Sequence, residues 1–269
     1  MVSLMEARQA AAKSGIGLQY VLKEARIFDI WSKICPVFLS KVISNQATII
    51  CKGGTPLNKV FLQKVQRFSE DIDIDIFFKD KTEREDKIQF IKDNIMTHLS
   101  SDYAIPKEAR KRNIITFFCQ FKNEIGMKDN IQLEFNIGEI QTGKVVLAGA
   151  SSKILPLKLD NIPIYSFETL IAKKLKAFYE RSEGKDVYDL YHSLKLNDNF
   201  DEIIPILKDV LKSSKIDYDE FKKEIPKKLA DSKMMKRLHA STNPYIPKNS
   251  RIDFIKASKE ISKKIMPHL

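Results

Sequence analysis

Apolar positions recur along this chain with two different periods, and the period changes with position. Over the first fifty residues Leu18, Val21, Leu22, Ala25 and Phe28 follow the three-to-four spacing of an amphipathic helix. A short apolar run at 47–51 (Ala-Thr-Ile-Ile-Cys) then gives way to Gly53-Gly54, which reads as a strand entering a tight turn. Pro56 suits the first turn of a helix, where its missing N–H costs nothing, and Thr55 is the expected N-cap. Residues 71–78 alternate strictly: Ile72, Ile74 and Ile76 lie on one face, Asp71, Asp73 and Asp75 on the other. A helix is predicted over 83–99, and strands over 113–121, 130–137 and 144–147, the first two as antiparallel neighbours. From Ser166 onward the period is helical, with helices predicted over 166–181, 186–195, 201–212, 217–240 and 251–264. Gly184, Asn197–Asn199, Asp217 and the 243–247 loop separate them. The division expected is a mixed helix–strand part over 1–165 and an all-helical part over 166–269.

At 269 residues the chain is long enough to bury a core without disulfides or a structural metal. A 43% apolar content excludes global disorder, and no stretch approaches the ~18 consecutive apolar residues of a membrane span. The opening residues lack the basic-then-apolar layout of a secretory leader, and the three cysteines (Cys35, Cys51, Cys119) form no Cys-x-x-Cys pair. A cytoplasmic protein is expected. The four histidines are scattered, which argues against a histidine-rich zinc site. The formal charge of +11 is uneven. Residues 205–269 hold 16 Lys/Arg against 8 Asp/Glu, a net +8 by subtraction. A polyanion such as RNA is one partner class for that surface; solvated lysine-rich helices account for it equally well.

Three segments carry candidate chemistry. Asp71 and Asp73 sit two residues apart on one strand face, close enough to share a divalent cation. The Lys52-Gly53-Gly54-Thr55 turn before a helix lets backbone N–H groups approach a phosphate. Together these form a device for holding a nucleoside triphosphate and Mg²⁺. Gln132, Glu134 and Asn136 share a second polar strand face, so Glu134 is a candidate third carboxylate, although a solvated face would read the same way. In 167–178, Phe167, Leu170, Ile171, Leu175 and Phe178 form one helical stripe with Lys174 inside it and Arg181 close by. Lys173, Lys176 and Glu180 fall outside it, where solvent is expected. A lysine in an apolar stripe needs an anion, either a triphosphate or a carboxylate cluster. Asp186 opens the next helix and reads equally well as an N-cap.

Taken in order, Lys52-Gly53-Gly54-Thr55, Arg67-Phe68-Ser69-Glu70-Asp71-Ile72-Asp73, Leu133-Glu134-Phe135, the segment 168–177 and Lys185-Asp186-Val187-Tyr188-Asp189-Leu190 resemble the AbiEii/AbiGii toxin family of nucleotidyltransferases, within the DNA polymerase β-like superfamily. The resemblance covers roughly 45–195. It implies an α+β nucleotidyltransferase fold, a small mixed sheet with flanking helices followed by a helical region. It implies Mg²⁺ held by Asp71 and Asp73, nucleotide phosphates over Gly53, Gly54 and Thr55 with Ser69 as an auxiliary contact, and catalytic parts for Lys174 and Asp186. Family members act as toxins in toxin–antitoxin or phage-defence pairs, and some transfer nucleotides to tRNA ends; an antitoxin partner and an RNA or tRNA acceptor are therefore expected. Pro56 stands where a small helix former is common, Lys185 where arginine is usual, and Asp75 is an additional acid without an assigned part. A protein or small-molecule acceptor, or a non-catalytic RNA-binding relative, are the alternative readings.

Overall fold

The computed structural model describes residues 2–138 and 140–269. Three helices lead the chain: α1 (Leu4–Ser14), α2 (Leu18–Phe38) and α3 (Lys41–Gln46). Strand β1 (Ala47–Lys52) ends at Gly53, whose φ of +80° turns the chain into α4 (Gly54–Pro56), continued by wider π turns over Leu57–Phe61. Next come β2 (Asp71–Phe78), α5 (Arg84–Asn94), β3 (Glu108–Arg110), β4 (Ile114–Lys122), β5 (Lys128–Asn136), β6 (Val145–Ser151) and β7 (Lys158–Tyr165). The remainder is helical: α6 (Phe167–Arg181), α7 (Gly184–Leu196), α8 (Phe200–Ser213), α9 (Tyr218–Ala230), α10 (Ser232–Thr242) and α11 (Phe254–Ile265).

The strands form one mixed sheet in the order β3-β4-β5-β2-β1-β7-β6. At its centre β2 pairs antiparallel with β1 and parallel with β5. The isoleucine face of β2 joins Ile27, Trp31 and Ile34 of α2 and Ile88 and Ile91 of α5 in the main core. The other face carries the aspartates, and α6 lies over that side with a small apolar cluster of Ile50, Leu57, Tyr165 and Leu170. A second large core is built from α6–α11 around Phe178, Tyr188, Phe221 and Phe254.

Several predicted elements change. The short strand expected at 144–147 extends to Ser151, and β7 was not predicted at all. Its sequence contains Pro163 and a left-handed Asn161 (φ 57°), features that normally argue against an interior strand. Pro163 is tolerated where it stands opposite Leu147 of the edge strand β6. The helix expected over 217–240 is two helices, because Asp231 accepts from the Met234 N–H and caps a new start. Thr55 is not an N-cap; Gly53 holds that position. Nor is Asp186, which is the third residue of α7 after the cap Glu183.

Candidate active site

Register brings the acids together. On β2 and β5, Asp71 lies opposite Gln132, Asp73 opposite Glu134 and Asp75 opposite Asn136, while Lys52 of β1 lies opposite Asp73 on the other side. These side chains share the face covered by α6. Between sheet and helix opens a cavity of about 240 Å³. Its sheet wall carries Lys52, Gly53, Gly54, Asp73 and Glu134, and its α6 wall Lys173, Lys174, Lys176 and Arg181. Leu170, Ala177 and, from α8, Val210, Ser213 and Ser214 complete it. Lys173, Lys176 and Glu180, expected in solvent, all line this space.

The acids divide into two kinds. Asp75 is fully buried and accepts from Tyr165 Oη at 2.7 Å and Asn136 Nδ2 at 3.0 Å; it also pairs with Lys52 and, at 3.5 Å, with Lys173. Burial would raise its pKa, but the two lysines outweigh burial and lower it. Asp75 is thus the anchor that holds two cavity lysines in place. Asp186 and Asp189, also buried, receive Lys174 Nζ at 2.8 and 2.9 Å. Arg181 adds two bonds at 3.0 Å to Asp186. Arg67 forms a bidentate pair with Asp189 (2.8 and 2.6 Å), which also accepts from Asn58 at 2.9 Å. This network satisfies the buried lysine of the α6 stripe with carboxylates. The attraction of Asp186 and Asp189 raises the Lys174 pKa although burial opposes it.

Asp71, Asp73 and Glu134 are different. Among the described residues, no side chain donates a hydrogen bond or forms a salt bridge to any of the three. The Asp73 carboxyl is pushed up to about 7, first by burial and then by the neighbouring Asp71 and Glu134 charges, against Lys52 and Lys174. Among the described residues no group of three or more His, Cys, Asp or Glu is drawn close enough to hold a metal as it stands. Asp71, Asp73 and Glu134 do not form such a group here, although the β2–β5 register sets Asp73 and Glu134 side by side. Asp73 and Glu134 face the cavity; Asp71 is not in its wall and couples instead to Arg67 and Lys185.

The two glycines act through close approach. A Cβ on Gly53 would stand 2.1 Å from Asp73 Oδ2, and one on Gly54 would stand 2.1 Å from Arg67 Nη2. The turn is therefore shaped by the carboxylate and guanidinium that lie against it. Thr55 is buried and donates to the Asp71 carbonyl at 2.8 Å, tying the turn to β2. Ser69 is buried too, beside Arg67 Nη1 at 3.4 Å, and neither hydroxyl reaches the cavity wall. Arg67 and Asp189 fall within the family-like segments of the sequence, and the structure gives them their part as a buried ion pair. The available signal was helical spacing: Asp186 and Asp189 three apart on α7, matched by Lys174 and Arg181 seven apart on α6.

The family described as "Nucleotidyl transferase AbiEii toxin, Type IV TA system" matches residues 44–257, most of the chain. The chain belongs to this family. As an AbiEii protein it is a nucleotidyltransferase, the toxin of a type IV toxin–antitoxin system. Among solved structures, the nucleotidyltransferase toxin MenT4 of Mycobacterium tuberculosis has the same fold, with a TM-score of 0.57 at 16% identity. That match covers 79% of the AbiEii chain and 70% of MenT4. An antigenic nucleotidyltransferase-like protein from Paracoccidioides brasiliensis superposes more loosely, with a TM-score of 0.37, 15% identity, and 68% of this chain against 87% of that one. No curated protein matches the sequence. No helix among the described residues is long and apolar enough to cross a membrane.

Proposed function

We propose that the cavity binds a nucleoside triphosphate and that the protein transfers its nucleotide to the hydroxyl of an RNA end, such as that of a tRNA, with release of pyrophosphate. The observation that carries this reading is the contrast among the acids: the buried Asp75, Asp186 and Asp189 are all paired with lysine or arginine, whereas among the described residues no side chain pairs with the half-buried Asp71, Asp73 and Glu134, beside a cavity lined by Lys52, Lys173, Lys174, Lys176 and Arg181. Asp73 and Glu134, side by side at the cavity with Asp71 two residues along the same strand face, are hard-oxygen donors of the kind that would hold Mg²⁺ if drawn together around it. When bound there, the ion would activate the acceptor hydroxyl and offset charge on the leaving pyrophosphate. Lys52, Lys173, Lys174 and Arg181 face the triphosphate and stabilise charge that moves toward its β- and γ-phosphates. Lys174 can do so without drifting because Asp186 and Asp189 grip it; Asp186 is thus a positioning residue. Gly53 and Gly54 keep the turn low enough for a phosphate to approach, and Thr55 and Ser69 support that turn from below.

In this reading residues 1–165 carry the carboxylates and 166–269 form a basic helical domain that supplies cations and acceptor contacts, in a cytoplasmic protein held in check by an antitoxin. The test is transfer of radiolabel from each NTP to total RNA with Mg²⁺. Wild type labels RNA and Asp73→Ala loses labelling by at least about a hundredfold. Equal labelling by both proteins removes the mechanism.

A further inference from the structure

In-line transfer places the acceptor hydroxyl across the α-phosphate from the leaving pyrophosphate. With the triphosphate in the cavity, an acceptor that reaches the carboxylates without crossing it does so at Asp71, which lies outside the cavity wall. Four distant segments meet there. Tyr20 and Lys23 come from α2, Glu70 from the residue before Asp71, Lys185 from α7 and Tyr245 from the loop before α11. The Tyr20 and Tyr245 rings lie 5.0 Å apart, and Lys185 Nζ sits 4.2 Å from the centre of the Tyr245 ring. The Phe68 N–H donates to the Tyr245 carbonyl at 2.8 Å, which fixes the loop to the chain just ahead of Asp71. Lys23 is paired with Glu70 and Asp129 at 3.2 and 3.4 Å. Lys185 is not: among the described residues no carboxylate lies within salt-bridge reach of it. Both tyrosines and Lys185 remain partly open to solvent.

Aromatic faces interleaved with cations are the chemistry that takes unpaired bases and their phosphates. Resting on the transferase reading above, we propose that Tyr20, Tyr245 and Lys185 form the subsite for the single-stranded 3′ end of the acceptor RNA. The terminal base stacks on the tyrosine pair and Lys185 meets the adjacent phosphate, which delivers the 3′-hydroxyl to Asp71. The patch lies outside the triphosphate cavity, so the two bind separable ligands.

The experiment measures binding of a fluorescent single-stranded oligoribonucleotide with a free 3′-hydroxyl, by anisotropy and without NTP, to the full chain and to Tyr20→Ala, Lys185→Gln and Lys185→Arg. Far-UV circular dichroism checks folding, and calorimetry with ATP, CTP, GTP and UTP follows the other site. The expected result is an affinity loss on the order of tenfold for Tyr20→Ala and Lys185→Gln, retention in Lys185→Arg, and unchanged nucleotide binding. Tyr20→Phe, which keeps the ring, binds like wild type and guards against a folding defect in the alanine variant. Wild-type affinity in both Tyr20→Ala and Lys185→Gln overturns the subsite even if RNA is labelled. Absence of RNA binding by the wild type overturns it as well, and label transferred to protein then identifies a protein acceptor. Failure of Asp73→Ala to affect labelling strikes the transferase reading alone, since the oligonucleotide titration needs no chemistry.

Discussion

The demands on single residues are most severe at Gly53. Its φ of +80° and ψ of −157° lie in a region open almost only to glycine, costing any other residue about 1–3 kcal/mol, and an added methyl would meet Asp73 Oδ2 at 2.1 Å. Gly53→Ala is expected to lower the transfer rate by at least about tenfold by displacing Asp73 and to cost stability of the order of that backbone strain. Steady-state kinetics and urea melts on the same preparation check both parts. Asp73 itself makes a pH prediction. Its pKa is raised from the ordinary carboxylate range to about 7, so between roughly pH 4 and 7 the folded protein holds a proton that the unfolded chain has released. Stability contributed by this group therefore falls as pH rises through that window and is flat above it. In chelator-treated protein, Asp73→Asn should be more stable than wild type at pH 8, by roughly 1–3 kcal/mol, and the difference should vanish near pH 4. Denaturant melts at the two pH values decide it; an equal gap at both is incompatible with the raised pKa.

At the scale of elements, α6 does two jobs with one face. Leu170, Ile171, Leu175 and Phe178 are buried, and Lys174 is buried among them because α7 presents Asp186 and Asp189 to it. Removing one member of such a group leaves the others buried and uncompensated, which costs about 3–5 kcal/mol. Lys174→Met should lose that much, whereas Lys174→Met combined with Asp186→Asn should recover part of it. A double-mutant cycle on urea unfolding measures the coupling, and simple additivity would mean that the pair does not interact. Lys173, one residue before Lys174, meets a different partner set and shows the limit of helical periodicity. Helical geometry put it outside the stripe, but the Asp75 carboxylate and the Tyr165 ring (4.4 Å from Nζ) lie on that side of the helix. Periodicity tells which face a residue occupies on its own helix, not what another strand sets against that face.

Over the whole molecule, the sheet core and the helical core are joined by polar contacts as well as apolar ones. Arg67 and Asn58, from the segment between β1 and β2, both reach Asp189 of α7, and Tyr188 Oη donates to the Val65 carbonyl at 2.7 Å. Arg67 is 2% exposed, so without α7 its guanidinium would be stranded inside the protein. Calorimetry of the full chain should show a single unfolding transition. A chain ending at Arg181 should lack a cooperative melt in near-UV circular dichroism; a sharp melt there would show that the sheet part folds independently of α7–α11.

The strand bearing three aspartates, the glycine turn, the lysine in an apolar stripe and the helical second half were all legible in the order of the residues. Each is a local pattern, because side-chain period and turn conformation are dictated by neighbours in the chain. Partnership was not legible. Asp71, Asp73 and Asp75 look alike in sequence, yet Asp75 is spent on Lys52, Lys173 and Tyr165, while among the described residues no side chain forms a salt bridge to Asp71 or Asp73. Pairing Glu134 with Asp73 required the parallel register of β5 on β2, and neutralising Lys174 required α7 to fold back against α6. Charge interactions fall off with distance in space, and only the folded chain sets those distances.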